Sequence, residues 1–527
     1  MIFECYTSIR LDKRTELGDG TAAIIHVKKS ARQLPSTAVQ ELHLKRAEGI
    51  LNPVTFLKVY ELHTAAQHNI EEHMADVILR VLLESEEFNR PHHRYITKHK
   101  NNQIKALPCG PEHISCEYMM PSMPISEASY EGNLQVWGTV RHRAEKVVCP
   151  LGDQLTTNRL RGAAKARCQD RNSEERLDNL VPVWGRLHGS MPFEKSLHKQ
   201  YMGTESGFGF KQALTLLFRH DLAKATTAGA FHERFGRLLE QMLEAHLRNL
   251  WCLVANVEDV SELTQKSPEE LRKMAQLIVH QHASAKAMNT VFYHHSNESD
   301  EVKAHTVGLV RDLLHYAVLK HSIKHGNVGM MEALLPYLLF RFAGGRNSHY
   351  CTQVLETLQG IHREWPSEVA DFVRDHCWLI NLTGKRDGHT SADRVMEAGI
   401  KDIKVSYRPT GPNVNWKYPE KLHPAIPVIR AVSAHAEDIF KTWTRYKAHT
   451  SPHDIESIKV LQCAYKASDL YTYKPGRNLP EGNTFTDFVL EGAQKLPAAI
   501  TRWADGRAFP RSTEEDWTEN DPMDISD

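Results

Sequence analysis

The sequence has no charge of either sign to spare: Lys plus Arg and Asp plus Glu each number 65. Net charge therefore selects no partner, and a nucleic-acid contact has to come from a local basic patch. Long apolar runs are missing as well. Nothing approaches the ~18–20 apolar residues that cross a bilayer, and the opening MIFECYTSIRLDKR has no apolar stretch followed by a small-residue cleavage site. The expectation is a chain that is neither secreted nor membrane-spanning. Cysteine is sparse and unpatterned, with nine residues at 5, 109, 116, 149, 168, 252, 351, 377 and 463. No pair has zinc-knuckle spacing and the number is odd, so reduced thiols in the cytosol or nucleus fit best. A Gly-x-x-x-x-Gly-Lys-Ser/Thr loop, a Gly-x-Gly-x-x-Gly turn and a Gly-x-Ser-x-Gly elbow are all absent.

What the chain does have is length, apolar residues and histidine. Its 527 residues exceed one ordinary core and suggest about two to four domains. The 41% apolar and 25% charged residues match globular usage. Histidine is the outlier at 31 residues. His280 and His282, and the pair His294-His295, have no Cys or carboxylate set at ligand spacing, so most histidines read as a compositional habit.

Along the chain, TAAIIHV (21–27) after Gly18-Asp19-Gly20 predicts a strand, the second arm of a hairpin with residues 6–11. Apolar spacing from Pro53 to Leu83 predicts an amphipathic helix pair. Prolines at 108, 111, 121 and 124 predict a linker over 106–133. Val147 to Leu151, a basic helix, then Leu180 to His188 read as strand, helix and parallel strand. Residues 210–376 carry six helical runs with short breaks and no strand, and no repeat of fixed period. Cys377 to Gly384 reads as strand and turn, Ser391 as the cap of the next helix, and 425–447, 453–468 and 484–503 as helices. The expected class is α+β, predominantly α: a small mixed sheet interrupted by a large all-helical insertion. The divisions are 1–200, 201–376, 377–510 and a disordered acidic tail, 511–527, with seven acidic and no basic residues from Thr513 onward.

Three positions at element boundaries are candidates for chemistry: Asp153 after a strand, His188 ending a strand, and Glu397 in a helix beside a strand. Two-metal phosphoryl transfer needs carboxylates converging from separate elements on hard cations. Taken alone, Asp153 is fully explained as an N-cap, the simpler reading, and Glu397 as a surface partner of Lys401 one turn away. The helix after Asp153 carries Arg159, Arg161, Lys165 and Arg167 with no acid before Asp170, a face that suits a polyanion or plain solvent. Arg90 to Lys105 is a second basic run. Tyr407, Trp416 and Tyr418, interleaved with Arg408 and Lys417, suit either stacking on unpaired bases or anchoring of their loop.

From GDQLT (152–156) onward the chain resembles a large uncharacterised domain family of mushroom-forming fungi. The landmarks are GDQLT with NRLRGAAKAR, PVWGRLHGSM (182–191), HGNVG (325–329), GRNSHY (345–350), and WLINLTGKRDG followed by DRVMEAGIKDIK. That family looks like the product of mobile elements, and its layout is similar to ribonuclease-H-like transposases. The resemblance implies a DNA-binding protein in which Asp153 and Glu397 hold Mg²⁺ or Mn²⁺. On that reading Asp153, Glu397 and His188 are the candidates for action on phosphodiesters, and Arg159, Arg161, Lys165, Arg167 and Trp416, singled out by their charge and rings, the candidates for contact with nucleic acid. It also implies a loss. Where relatives carry Asp-Asn on the first strand, this chain has Cys5 and Tyr6 or a truncated start, and HGNVG has Asn327 in place of an expected Asp. A missing carboxylate removes charge and a ligand, so this copy is expected to be inert. The competing expectation is a non-enzymatic helical scaffold that binds a protein through 210–376 or the acidic tail.

Overall fold

The computed structural model describes residues 2–3, 5–9, 20–28, 33–88, 104–126, 129–140, 146–173, 175–226, 229–292, 298–407, 415–440 and 454–508. The acidic tail, most of Arg90 to Lys105, His294-His295 and Arg408 lie outside them.

The first strands build a small mixed sheet. β1 (Ile2–Phe3) and β2 (Cys5–Ile9) lead out, and β3 (Gly20–Ala22) and β4 (Ile24–Lys28) return antiparallel, with Thr7 opposite Ala22 and Phe3 opposite Ile25. β4 then pairs antiparallel with β5 (Ser115–Met119). On the other flank, β2 runs parallel to β6 (Leu151–Gly152), which runs parallel to β7 (Val183–Trp184). The two ladders joined along the chain give the spatial order 115–119, 20–28, 2–9, 151–152, 183–184. A separate hairpin pairs β8 (Leu379–Asn381) with β9 (His389–Ser391).

Several local expectations needed correction. The 106–133 segment is no linker: it contains β5, an edge of the sheet, because its prolines bracket SCEYM and leave the strand's own amides intact. The helix pair over 53–83 is one 29-residue helix. Thr55 caps it, accepting from the Lys58 amide at 3.2 Å, and no Gly or Pro interrupts it before Glu84. Ser391 occupies the cap position of its helix, but its side chain makes no capping bond.

The helices are α1 (Ala38–Leu51), α2 (Phe56–Glu84), α3 (Tyr130–Val140), α4 (Gln154–Ala166), α5 (Leu187–Tyr201), α6 (Phe210–Leu216), α7 (Gly229–Ala255), α8 (Pro268–His282), α9 (Ala285–Phe292), α10 (Glu301–Lys324), α11 (Val328–Ala333), α12 (Leu335–Gly344), α13 (Ser348–Gln359), α14 (Ser367–Phe372), α15 (Ala392–Ser406), α16 (Lys417–Phe440), α17 (Asp454–Ala467) and α18 (Phe488–Arg507). The chain is thus α+β and mostly helical. α10 is buried along most of its length and α12 at every residue, the pattern of helices at the centre of a bundle. α18 crosses α12 with backbones nearly touching. A Cβ on Gly492 would fall 1.8 Å from the Phe340 carbonyl oxygen, and one on Gly344 would fall 1.9 Å from that of Phe488. Only glycine permits that approach.

One apolar cluster extends from Ala22 in the sheet to Ile500 in α18. Charge is buried inside it. Asp312 on α10 is fully buried and accepts from Arg311, Arg341, Tyr201 and Tyr337, while Arg311 also makes a bidentate pair with Asp487 at the cap of α18. The two guanidiniums, opposing burial, hold the Asp312 carboxyl well below the usual range. Every ion of the network has an opposite charge beside it, the condition for tolerating ions in such a place, although the Nε of Arg341 is left without an acceptor.

Candidate functional site

The ends of β6 and β7 lie side by side, tied by a bond from the Gly185 amide to the Gly152 carbonyl at 2.8 Å. Asp153 leaves the first of these ends and caps α4, with Oδ1 accepting from the Thr156 amide at 2.8 Å. The capping reading of Asp153 is therefore correct for one oxygen and leaves the other to be explained. Gly185 leaves the second end. A Cβ there would sit 2.1 Å from Oδ2 of Asp393, so the glycine admits that carboxylate to the strand end.

Asp393, in the first turn of α15 and 2% exposed, organises the site. Its Oδ1 accepts from the Leu187 amide, and its Oδ2 from the His188 amide and from His188 Nδ1, all at 3.0 Å. It thus supplies from another helix the acceptor that the first turn of α5 lacks, since Arg186 makes no side-chain cap. For this reason His188 does not end a strand as expected. The ladder stops at Trp184, and His188 is the second residue of α5.

One turn beyond Asp393 stands Glu397, whose Oε1 is 3.7 Å from His188 Nε2. The imidazole is therefore held between two acids of one helix face. Burial alone would lower its pKa. The Asp393 bond and the charges of Asp393, Asp153 and Glu397 outweigh burial and push it up to about 9. His188 is an imidazolium at neutral pH. Asp393, against its own burial, is kept below the usual carboxylate range by His188 and the two amides. Tyr350, from GRNSHY on α13, is pushed up to about 12 by burial and then by the charges of Asp153 and Asp393. Arg186 lies 3.8 Å from the centre of the Trp378 ring and 5.1 Å from that of Trp184, and burial brings its pKa down to about 9 despite Asp393 and Glu332.

The structure thus brings Asp153, His188 and Glu397 together and adds Asp393, Tyr350, Gly185 and Arg186, which the sequence reading passed over. Asp393 was findable: it precedes Glu397 by four residues, one turn on a shared face. Among the described residues, no group of three or more His, Cys, Asp or Glu side chains is arranged to hold a metal ion.

The expected nucleic-acid residues are dispersed and engaged. Arg159 lies over the Tyr130 ring at 4.7 Å. Arg161 turns inward to Gln353 and Glu356. Lys165 donates to the Gly506 carbonyl at 3.0 Å, and Arg167 pairs with Asp170 at 2.6 Å. Trp416 packs its ring edge on Gly20 and the main core, the anchoring role. His282 is buried and His280 exposed, both on α8.

Fold and site define a mostly helical α+β protein with an imidazolium clamped among carboxylates at the ends of two parallel strands. The chain belongs to a family of unknown function, DUF6589, whose model matches residues 50–449. No curated protein and no solved structure matches it. No helix of the described residues is long and apolar enough to cross a membrane.

Proposed function

We propose that the chain is a DNA-binding protein on a ribonuclease-H-like sheet, of the kind transposases carry, whose former cleavage site is now a carboxylate–imidazolium cluster that does not cleave. The strand order supports the first half: an outgoing strand at the centre, on one side a strand antiparallel to it and then one running parallel to it again, and two parallel strands on the other side. An acid follows the fourth stretch, and further acids arrive on a helix that comes after a long helical insertion. The observation that carries the reading is the convergence of Asp153 and Glu397 on His188 from elements far apart in sequence.

The donor set does not fit a pair of Mg²⁺ or Mn²⁺ ions. Two-metal sites need several carboxylate oxygens open to the cations. Here Asp153 gives one oxygen to its cap, and Asp393 gives both to α5. By register Tyr6 stands opposite Gly152, so the central strand brings Cys5-Tyr6-Thr7 alongside the strand end and no acid. The positive charge of His188 supplies the neutralisation that such carboxylates otherwise take from a cation.

The test is cleavage and binding by the full chain. With Mg²⁺ or Mn²⁺ present, linear and supercoiled DNA should remain intact. Fluorescence anisotropy should show DNA binding that weakens as salt rises and ignores a chelator. Metal-dependent cleavage lost in Asp153→Asn would overturn the inert site, and no binding at low salt would overturn the DNA role.

A further inference from the structure

A cavity of about 480 Å³ lies where the end of β4 meets the 105–108 segment, α14 and the β8–β9 hairpin. That size is ordinary for a small-molecule site, ~300–1,000 Å³. It shares no lining residue with the cluster around His188. Leu34, Leu107, Pro108 and Phe372 give it apolar walls, and Lys28 stands among them.

The register of β4 explains why a lysine is there. Side chains alternate across the sheet, and Ile24 and His26, on the face that Lys28 shares, are both buried. Lys28 ends the strand opposite Ser115 of β5, so its stem follows the core face and the residue is half-buried instead of solvated. Its Nζ donates to the Leu379 carbonyl at 2.7 Å and to the Asp375 carbonyl at 3.0 Å. The Asp375 carbonyl belongs to a π-helical turn, Val373–Cys377, a distortion frequent at functional sites.

These two bonds shape the chemistry of the nitrogen. A neutral amine has two N–H donors and one lone pair; the carbonyls take both donors and leave the lone pair unclaimed. Burial brings the Lys28 pKa down to about 8, although Cys377 and Asp375 beside it raise it. Roughly one molecule in ten therefore carries the free amine at pH 7. The other ionisable groups around it are His26 on its own strand, His376 on the turn and His389 on β9. Burial first, then the charge of Lys28, holds all three at about 4, so they are neutral and add no charge.

The remaining polar groups narrow the ligand. Glu368, Asp371 and Asp375 line the cavity against Lys28 and Lys105, a balance that disfavours anions. Lys105 pairs with Asp371 at 3.1 Å and with Asp375 Oδ2 at 3.0 Å. Asp375 Oδ1 and His376 Nδ1 are buried with no hydrogen-bond partner, and both residues line the cavity. Such atoms are the exception in folded proteins. A carboxylate and an imidazole near an amine also supply the acid–base capacity that amine–carbonyl chemistry needs.

We propose that Lys28 is the reactive amine of a small-molecule site and forms an imine with an uncharged aldehyde or ketone, whose apolar body lies against Leu107 and Phe372. Desolvated lysines in apolar pockets are the usual source of such amines. Nζ adds its lone pair to the carbonyl carbon, the C=O π pair moves to oxygen, and that oxygen gains a proton. The carbinolamine then closes to C=N, and the carbonyl oxygen leaves as water with the two hydrogens first held by the amine. The site is independent of the DNA-binding reading.

The test treats the full chain with benzaldehyde and sodium cyanoborohydride, which fixes an imine as a benzylated lysine, and maps the label by peptide mass spectrometry. At pH 7 Lys28 should be labelled about tenfold or more faster than the exposed Lys45. Its rate should saturate as benzaldehyde rises, because a cavity fills and a bare amine does not. Glyoxylate, an anionic aldehyde, should show no such preference for Lys28. Lys28→Arg keeps the charge and should lose this label alone, with the circular dichroism unchanged. Should that variant fail to fold, the labelling ratio in the natural chain still decides. Labelling of Lys28 no faster than of Lys45, or at a rate that stays linear in benzaldehyde, overturns the site. Equal preference with glyoxylate overturns the uncharged ligand.

Discussion

Asp393 holds His188 twice through one oxygen: Oδ2 accepts both its backbone amide and its Nδ1, each at 3.0 Å. A single carboxylate thereby starts a helix, orients an imidazole ring and is the largest contributor to keeping that ring charged.

This relationship fixes the sign of a pH effect. The folded pKa of His188, about 9, lies above the unfolded value of 6.5. Its stabilisation, roughly 3 kcal/mol for that displacement, is complete below pH 6.5 and disappears as pH rises through about 9. Asp393→Asn should lower stability by about 3–5 kcal/mol at neutral pH. The gap from the natural chain, measured by urea unfolding, should shrink near pH 10. A gap that stays constant with pH would show that the charge of Asp393 is not what matters.

Asp153→Asn separates the two roles of that residue. Asn caps a helix about as well as Asp, so unfolding should shift by less than about 1 kcal/mol. The His188 titration, followed by NMR, should nonetheless move down, since one of its three neighbouring acids is gone. An unmoved titration would reduce Asp153 to a cap.

Gly185→Ala should be among the more damaging single-methyl changes in the chain. The new Cβ would meet Asp393 at 2.1 Å and push it off the first turn of α5. A loss of at least about 2–3 kcal/mol and a fall in the His188 pKa are expected. Gly138→Ala is the control: it lies in α3 with nothing within 4 Å of a new Cβ, and should gain about 0.5–1 kcal/mol.

The histidine excess predicts acid sensitivity. His26, His73, His246, His305, His315 and His423 are at most 5% exposed. Burial drives His246 and His315 down to about 3 and the other four to about 4. These folded values lie below 6.5, so the unfolded chain binds protons first and stability falls as pH drops below 6.5. By pH 5 each withdraws roughly 2 kcal/mol. Together that is comparable with the ~5–15 kcal/mol of a whole domain. Cooperative unfolding is expected near pH 5 by circular dichroism, with His305→Phe moving it to lower pH. A fold stable at pH 4 would contradict this account of the buried rings.

Much of this protein was legible in the sequence because it is local. Apolar periodicity gave the helices from 229 to 359, and Gly-Asp after a short apolar run gave β6 and the cap of α4. Asp153, His188 and Glu397 were readable as polar residues at element boundaries. β5 was missed because its flanking prolines suggested a linker, and pairing with β4, a long-range event, made it a strand.

What only the tertiary structure decided is the meaning of the charges. The residues around Asp153 state that α4 is basic, but packing against α13 turns Arg161 inward to Glu356. The residues around His188 state nothing about its ionisation, because the acids that charge it arrive from 35 residues before and more than 200 after. Periodicity and capping act over a few residues and can be read from the chain. Electrostatic energy depends on distance through a low-dielectric interior, and that distance exists only once the chain has folded.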